Sequence, residues 1–137
     1  VVTPAYGRVY HNASKGCDEM KVLIIDDSPL VRTILKEYLR EAGHEIREAG
    51  TNQEALWLFS TEHPDLIIRD LFMPDGDAIE SIHYFKAMDP GVKILICSTE
   101  SSKNEILSGL KAGALDVVLK PLEKDQVIFV LNRMAAS

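Results

Sequence analysis

Basic runs, long apolar stretches and clustered cysteines are all missing from this sequence, and each absence removes a class of function. Lys and Arg total 15 against 21 Asp and Glu, giving a formal net charge of -6, and the basic residues are scattered singly. Binding a phosphate backbone needs a concentrated basic footprint, so nucleic acid is not expected as a direct partner. No stretch approaches the roughly 18 apolar residues of a membrane span, and the N-terminus lacks the basic-then-apolar pattern of a secretory signal. No membrane association is expected, and the cytoplasm is the expected compartment. Cys17 and Cys97 lie far apart without metal-ligand spacing, which argues against a disulfide framework. His11, His44, His63 and His83 share no spacing that would make a metal site or a triad, and are read as surface or satisfied imidazoles.

What remains describes an ordinary globular chain. The 137 residues are 46% hydrophobic and 26% charged, long enough for one domain that buries its own core. Residues 1–19 mix Pro, Gly, Ser and Asn with isolated apolar residues and hold no period of 2 or 3.6. They are read as an N-terminal extension, either a segment added ahead of a natural start at Met20 or a native arm. Residues 20–137 are the expected domain.

From Met20 onward, short apolar runs alternate with helical patterns: KVLIID, SPLVRTILKEYLREAG, HEIREA, TNQEALWLFSTEH and PDLIIRD. DAIESIHYFKAMD, VKILICS, a helix over 104–112, DVVLK and a last helix over 123–135 follow, making five strands and five helices. Ser28 with Pro29 predicts the start of the first helix, and Thr51 with Glu54 a capping box on the second. KVLII and DLIIR are nearly continuous in apolar residues, as strands covered on both faces must be. The fold class is therefore α/β, a doubly wound parallel sheet. Trp57 and Phe59 share a helix that buries one face, so at least one of them is expected in the core.

In such sheets ligands bind beyond the carboxyl ends of the strands. Asp26 and Asp27 end the first strand, Asp70 the third, Ser98 the fourth and Lys120 the fifth, all on that edge. Converging carboxylates repel: two unit charges about 4 Å apart cost on the order of 4 kcal/mol at an effective dielectric near 20. Lys120 offers one neutralising charge. A hard divalent cation with oxygen ligands offers the rest, with Mg²⁺ favoured because it tolerates few carboxylates together with waters and a phosphate.

The segments KVLIIDDSPLVR, LIIRDLFMP, ILICSTE and VVLKP, with their spacing, resemble the four signatures of two-component response regulator receiver domains, from Met20 to the C-terminus. The resemblance implies a flavodoxin-like, CheY-like sheet of order 2-1-3-4-5. It implies that Asp70 takes a phosphoryl group from a sensor histidine kinase or phosphotransfer protein, as a signalling switch and not a turnover enzyme. Asp27 would bind Mg²⁺ directly, Asp26 through water, and the Phe72 carbonyl would complete the protein ligands beside Asp70. Lys120 would pair with the phosphoryl oxygens and Ser98 would hydrogen-bond one of them. The Lys120-Pro121 bond matches one that is often cis in the family.

Two departures shape further expectations. MPDGDAIE places Gly76 ahead of Asp77 and Ala78 behind it, which alters the usual loop, and Val117 stands where the family's switch aromatic usually lies. Activation is then expected through Ser98 and the fourth helix, whose interior Gly109 should ease repacking. Phe72 and Glu100 occupy positions that in the family flank the phosphoryl group and influence its hydrolysis, and the resemblance implies that bulky Phe72 slows it. Val127, Val130, Leu131 and Met134 fall on one face of the last helix with Phe129 nearly opposite, either exposed as an output patch for a downstream target or homodimer, or covered by the extension. Three other readings are weaker. A phosphorylation-independent module of this fold sits poorly with intact Asp27, Asp70 and Lys120. A dehalogenase-type phosphohydrolase expects an acid two residues after its nucleophile, where Phe72 or Ser28 stands. A flavin carrier is disfavoured because an acidic first loop repels the flavin phosphate.

Overall fold

The computed structural model describes residues 19–137. The extension's conformation, His11, Cys17 and any cover that the extension gives Phe129 lie outside the described residues. Strands β1 (Lys21–Ile25), β2 (Glu45–Ala49), β3 (Leu66–Asp70), β6 (Lys93–Ser98) and β7 (Asp116–Leu119) form one parallel sheet in the order β2-β1-β3-β6-β7. That is the expected 2-1-3-4-5 order, with helices α1 (Pro29–Glu41), α2 (Asn52–Glu62), α3 (Ala78–Met88), α4 (Lys103–Ala112) and α5 (Lys124–Ala135) in the crossovers.

The strand count was short by a hairpin. β4 (Phe72–Met73) and β5 (Gly76–Asp77) pair antiparallel across a turn at Pro74 and Asp75. Strands of two residues carry no readable alternation, so only the turn residues Pro and Asp could have hinted at them. Among the described residues no helix is long and apolar enough to cross a membrane.

Alternation along the strands builds two cores. Leu23, Ile25, Ile67, Ile94 and Ile96 face α2, α3 and α4, where Phe59, Ile82 and Phe85 meet them. Val22, Ile24, Ile68, Leu95 and Cys97 face α1 and α5, against Leu35, Leu39 and the expected stripe of Val127, Val130, Leu131 and Met134. On α2 it is Phe59 that packs inward, at 4.7 Å between ring centroids from Phe85, while Trp57 is exposed. His44 is buried, its Nδ1 accepting from the Met20 amide at 3.1 Å, whereas His63 and His83 lie at the surface.

Helix starts follow their caps. Ser28 Oγ accepts from the Val31 amide at 3.2 Å, with Pro29 in the first turn where a missing N–H is harmless. Thr51 Oγ1 accepts from the Glu54 amide at 3.1 Å, but the Glu54 carboxylate reaches the Gly50 amide at 2.8 Å, one residue earlier than the box pattern implies. α4 and α5 begin at Lys103 and Lys124, within one residue of expectation, and neither has a side-chain cap. Gly113 ends α4 at φ 131, a conformation that disfavours any side chain.

Candidate functional site

Parallel strands deliver their carboxyl ends to one edge, and three acids meet there. Asp26 and Asp27 follow β1, Asp70 closes β3, and each offers a carboxylate oxygen within 4.8 Å of the others. Asp26 and Asp70 are buried and Asp27 is exposed, so the cluster opens to solvent on one side. Asp26 is held in place by the Ser28 amide, which donates to its Oδ1 at 2.9 Å.

Lys120, directly after β7, reaches across this cluster. Its Nζ donates to Asp26 Oδ2 at 3.2 Å and to Asp70 Oδ1 at 3.1 Å. The Lys120-Pro121 peptide is cis, as expected. Burial raises the Asp70 pKa above its ordinary value; the hydrogen bond from Lys120 pulls the other way, and the Asp26 and Asp27 charges add to the rise. Burial alone would lower Lys120, but the hydrogen bond and charge of Asp70, with the charge of Asp26, outweigh it and hold the ammonium above its ordinary value. Three carboxylates against one ammonium leave the pocket anionic, and its donors are all hard oxygens. That set suits a divalent cation of the Mg²⁺ type, which keeps waters and takes few carboxylates.

Ser98 closes β6 and is buried; its Oγ makes one long contact, 3.4 Å to the Thr99 carbonyl. Cys97 pairs in register with Asp70, and burial pushes its thiol up to about 12. Phe72 is 58% exposed at the rim, and Glu100 is exposed. The altered loop has a definite geometry. Asp77 caps α3, its carboxylate accepting from the Glu80 amide at 3.0 Å, and Gly76 lies so close to Asn52 that a Cβ there would be 2.5 Å from the Asn52 side-chain nitrogen.

Away from the edge, Val117 is half-buried in β7 opposite Ile96. Gly109 is buried, and a Cβ on it would lie 2.4 Å from Ile96 Cδ1. The glycine therefore serves close packing of α4 on β6, a reason the sequence did not reveal. Phe129 is 60% exposed, with the Arg133 guanidinium 5.2 Å from its ring centroid. Leu107, Leu115 and Leu119 are also exposed.

One residue at this edge escaped sequence reasoning. Arg69, 1% exposed, precedes Asp70 in a strand that otherwise reads as apolar. Its signal was the one basic residue inside LIIRD. Burial lowers its pKa, and the charges of Asp70, Asp75 and Asp77 oppose that shift.

Comparison with known proteins identifies the family and supports the fold. The family profile described as response regulator receiver domain matches residues 22–132. A chemotaxis protein CheY of Thermotoga maritima is 33% identical over 116 residues, covering 84% of this chain and 97% of that protein. A CheY of Halobacterium salinarum is 33% identical over 112 residues, 82% of this chain and 93% of that protein. Among solved structures, a chemotaxis response regulator of Vibrio cholerae superposes with a TM-score of 0.79 at 29% identity, covering 85% of this chain and 98% of that one.

Proposed function

Because the chain belongs to the response regulator receiver family of two-component systems, we propose that Asp70 accepts a phosphoryl group and that the modification switches a protein-binding surface. The observation that carries this reading is the Lys120 ammonium bridging Asp26 and Asp70 within a three-carboxylate pocket. The receiver unit is taken as residues 20–137, and the compartment proposed for it is the cytoplasm.

Asp70 is the nucleophile. One of its carboxylate oxygens forms a bond to phosphorus as the bond from phosphorus to a kinase or phosphotransfer histidine nitrogen breaks, its electron pair leaving with the imidazole. A small acyl phosphate would serve as donor in the same way. Asp27, Asp70 and the Phe72 carbonyl would hold Mg²⁺, with Asp26 acting through water, and the ion supplies positive charge against the incoming phosphoryl oxygens. Lys120 turns from carboxylates toward those oxygens as they arrive, a charge-assisted hydrogen bond that favours the transferring group. Ser98, whose hydroxyl has only one weak contact, is free to rotate and donate to the phosphoryl group.

The response would then run through Ser98 and α4, with Val117 and Gly109 at its packing contacts, to the face that carries Phe129 and Leu119. A downstream protein or a second copy of the chain would dock there; nucleic acid and membrane are not proposed as direct partners. Phe72 at the rim would obstruct attacking water and Glu100 would influence it, which makes the aspartyl phosphate long-lived.

The test is the intact mass after incubation with Mg²⁺ and acetyl phosphate, for wild type and Asp70→Asn. A gain of one phosphoryl group in wild type alone is expected. An equal gain in both proteins, or none in folded wild type with either acetyl phosphate or a kinase as donor, would overturn the proposal.

A further inference from the structure

β3 ends on two charged residues that point to opposite faces of the sheet, and the chemistry above uses only the second. Arg69 shares the parity of Ile67 and lies on the face covered by α2, α3 and α4. Its Nη1 donates to the main-chain oxygen of Asp70 at 2.6 Å. Its Nη2 donates to Asn52 Oδ1 at 3.2 Å and to Ser81 Oγ at 3.3 Å, and the Ser81 hydroxyl donates to the same Asn52 oxygen at 3.0 Å. Nε finds no hydrogen-bond partner among the described residues. A buried guanidinium with an unmet donor is a poor stabilising device, since a well-packed apolar side chain of similar volume would serve the fold as well or better. Stability does not explain this arginine.

Its placement does. Asn52 is the first residue of α2, and its amide donates to the Asp75 carboxylate in the β4–β5 turn at 2.9 Å, with Gln53 adding a second bond at 3.3 Å. The outer end of Arg69 is thus anchored on α2 and α3, and through Asn52 on the hairpin. The inner end grips the carbonyl of the peptide between Asp70 and Leu71, whose N–H donates to the Cys97 carbonyl at 3.1 Å. That peptide is therefore fixed from both sides, its oxygen by Arg69 and its nitrogen by β6. Its orientation decides how the chain leaves Asp70 toward Phe72.

We propose that Arg69 is a positioning residue for phosphoryl transfer: by clamping the Asp70–Leu71 peptide to α2 and α3, it holds the Asp70 carboxylate and the Phe72 main-chain oxygen in the relative placement that cation and phosphoryl group require. The inference rests on the reading of Asp70 as phosphoacceptor.

The test uses the full chain with Arg69→Met, Arg69→Lys and Ser81→Ala. Calorimetric Mg²⁺ titration is expected to give about tenfold weaker binding for Arg69→Met, the effect of losing a charged hydrogen bond. The maximal phosphorylation rate at saturating Mg²⁺ should fall about tenfold as well, while the acetyl phosphate concentration for half-maximal rate stays unchanged because Arg69 does not touch the donor. Amide exchange at residues 71–76 should quicken in the unphosphorylated protein. Arg69→Lys should recover part of each loss, and Ser81→Ala, which slackens the clamp, should show about a threefold effect in the same direction. A folded Arg69→Met with wild-type Mg²⁺ affinity and maximal rate overturns the proposal. If that variant does not fold, wild-type values in Ser81→Ala overturn it instead. If wild type itself takes up no phosphoryl group, the reading of Asp70 fails, and the Mg²⁺ affinities still decide whether the clamp exists.

Discussion

Replacing Asp70 by Asn should make the protein more stable at neutral pH, although it removes the proposed acceptor. The carboxylate has two like charges within 4.8 Å, each repelling it by about 3 kcal/mol at an effective dielectric near 20, and one ammonium at 3.1 Å attracting it by about 5 kcal/mol. Asp27 is exposed and its share is screened, but burial of Asp70 works in the same direction as the repulsion. The charges nearly cancel, and burial tips the balance toward the neutral side chain by about 1 kcal/mol, with Lys120 left paired to Asp26. The sign of the pH dependence follows from the raised pKa. The folded chain binds the Asp70 proton more tightly than the unfolded chain, so stability is lost as pH rises from the unfolded value of about 3.9 to the folded value, and the penalty is complete above it. Thermal unfolding without divalent ions should therefore place Asp70→Asn roughly 3–5 °C above wild type at pH 7. The gap should close on acidification toward the unfolded value, and saturating Mg²⁺ should narrow it by stabilising wild type more. Equal or lower stability of Asp70→Asn at pH 7 without divalent ions would refute the electrostatic reasoning.

Phe72→Asn should shorten the phosphoryl half-life several-fold, measured by loss of the mass adduct, with stability changed by no more than about 0.5 kcal/mol because the ring is exposed. Gly109→Ala gains helix propensity but drives a methyl group into Ile96, so denaturant unfolding should show a net loss of about 1 kcal/mol, recovered when Ile96→Val removes the obstructing Cδ1. Phe129→Ala should leave folding and phosphoryl uptake intact while weakening dimer formation or target binding by the phosphorylated protein, read by light scattering or calorimetry; unchanged association would remove Phe129 from the output surface.

The sheet order was legible only through the family resemblance, whereas the edge that gathers Asp26, Asp70, Ser98 and Lys120 was legible because parallel strands deliver their carboxyl ends to one side once the alternation of elements is read. The buried stripe on α5 was legible for a similar reason, since its helical period is regular. Three features were not. The β4–β5 hairpin is too short to carry a period, and the packing of Gly109 against Ile96 depends on how closely α4 approaches the sheet. Arg69 was hidden because its partners, Asn52 and Ser81, come from helices 17 and 12 residues away along the chain in opposite directions.

The two flanks of the site are held very differently, and that difference bears on how a phosphorylation signal would leave it. On one flank, the start of α2 is fixed by the Asp75 carboxylate and by Arg69, and α3 is capped by Asp77 and tied to the same arginine through Ser81. Motion there would break several hydrogen bonds together, those of the buried Arg69 guanidinium being the costliest to leave unmade. On the other flank, Ser98 makes a single 3.4 Å contact, the loop after it is joined by hydroxyl contacts among Thr99, Ser101 and Ser102, and α4 begins without a side-chain cap. A hydroxyl with so weak a partner loses little when it turns toward a new anion, and a helix start without a side-chain cap resists displacement less than a capped one. New charge on Asp70 would therefore be accommodated by movement of Ser98 and α4 while α2, α3 and the hairpin stay in place as the rigid half against which the movement is made. With Val117 in place of a large aromatic in β7, the proposed response would pass instead through the close approach of α4 to β6 at Gly109 and Ile96.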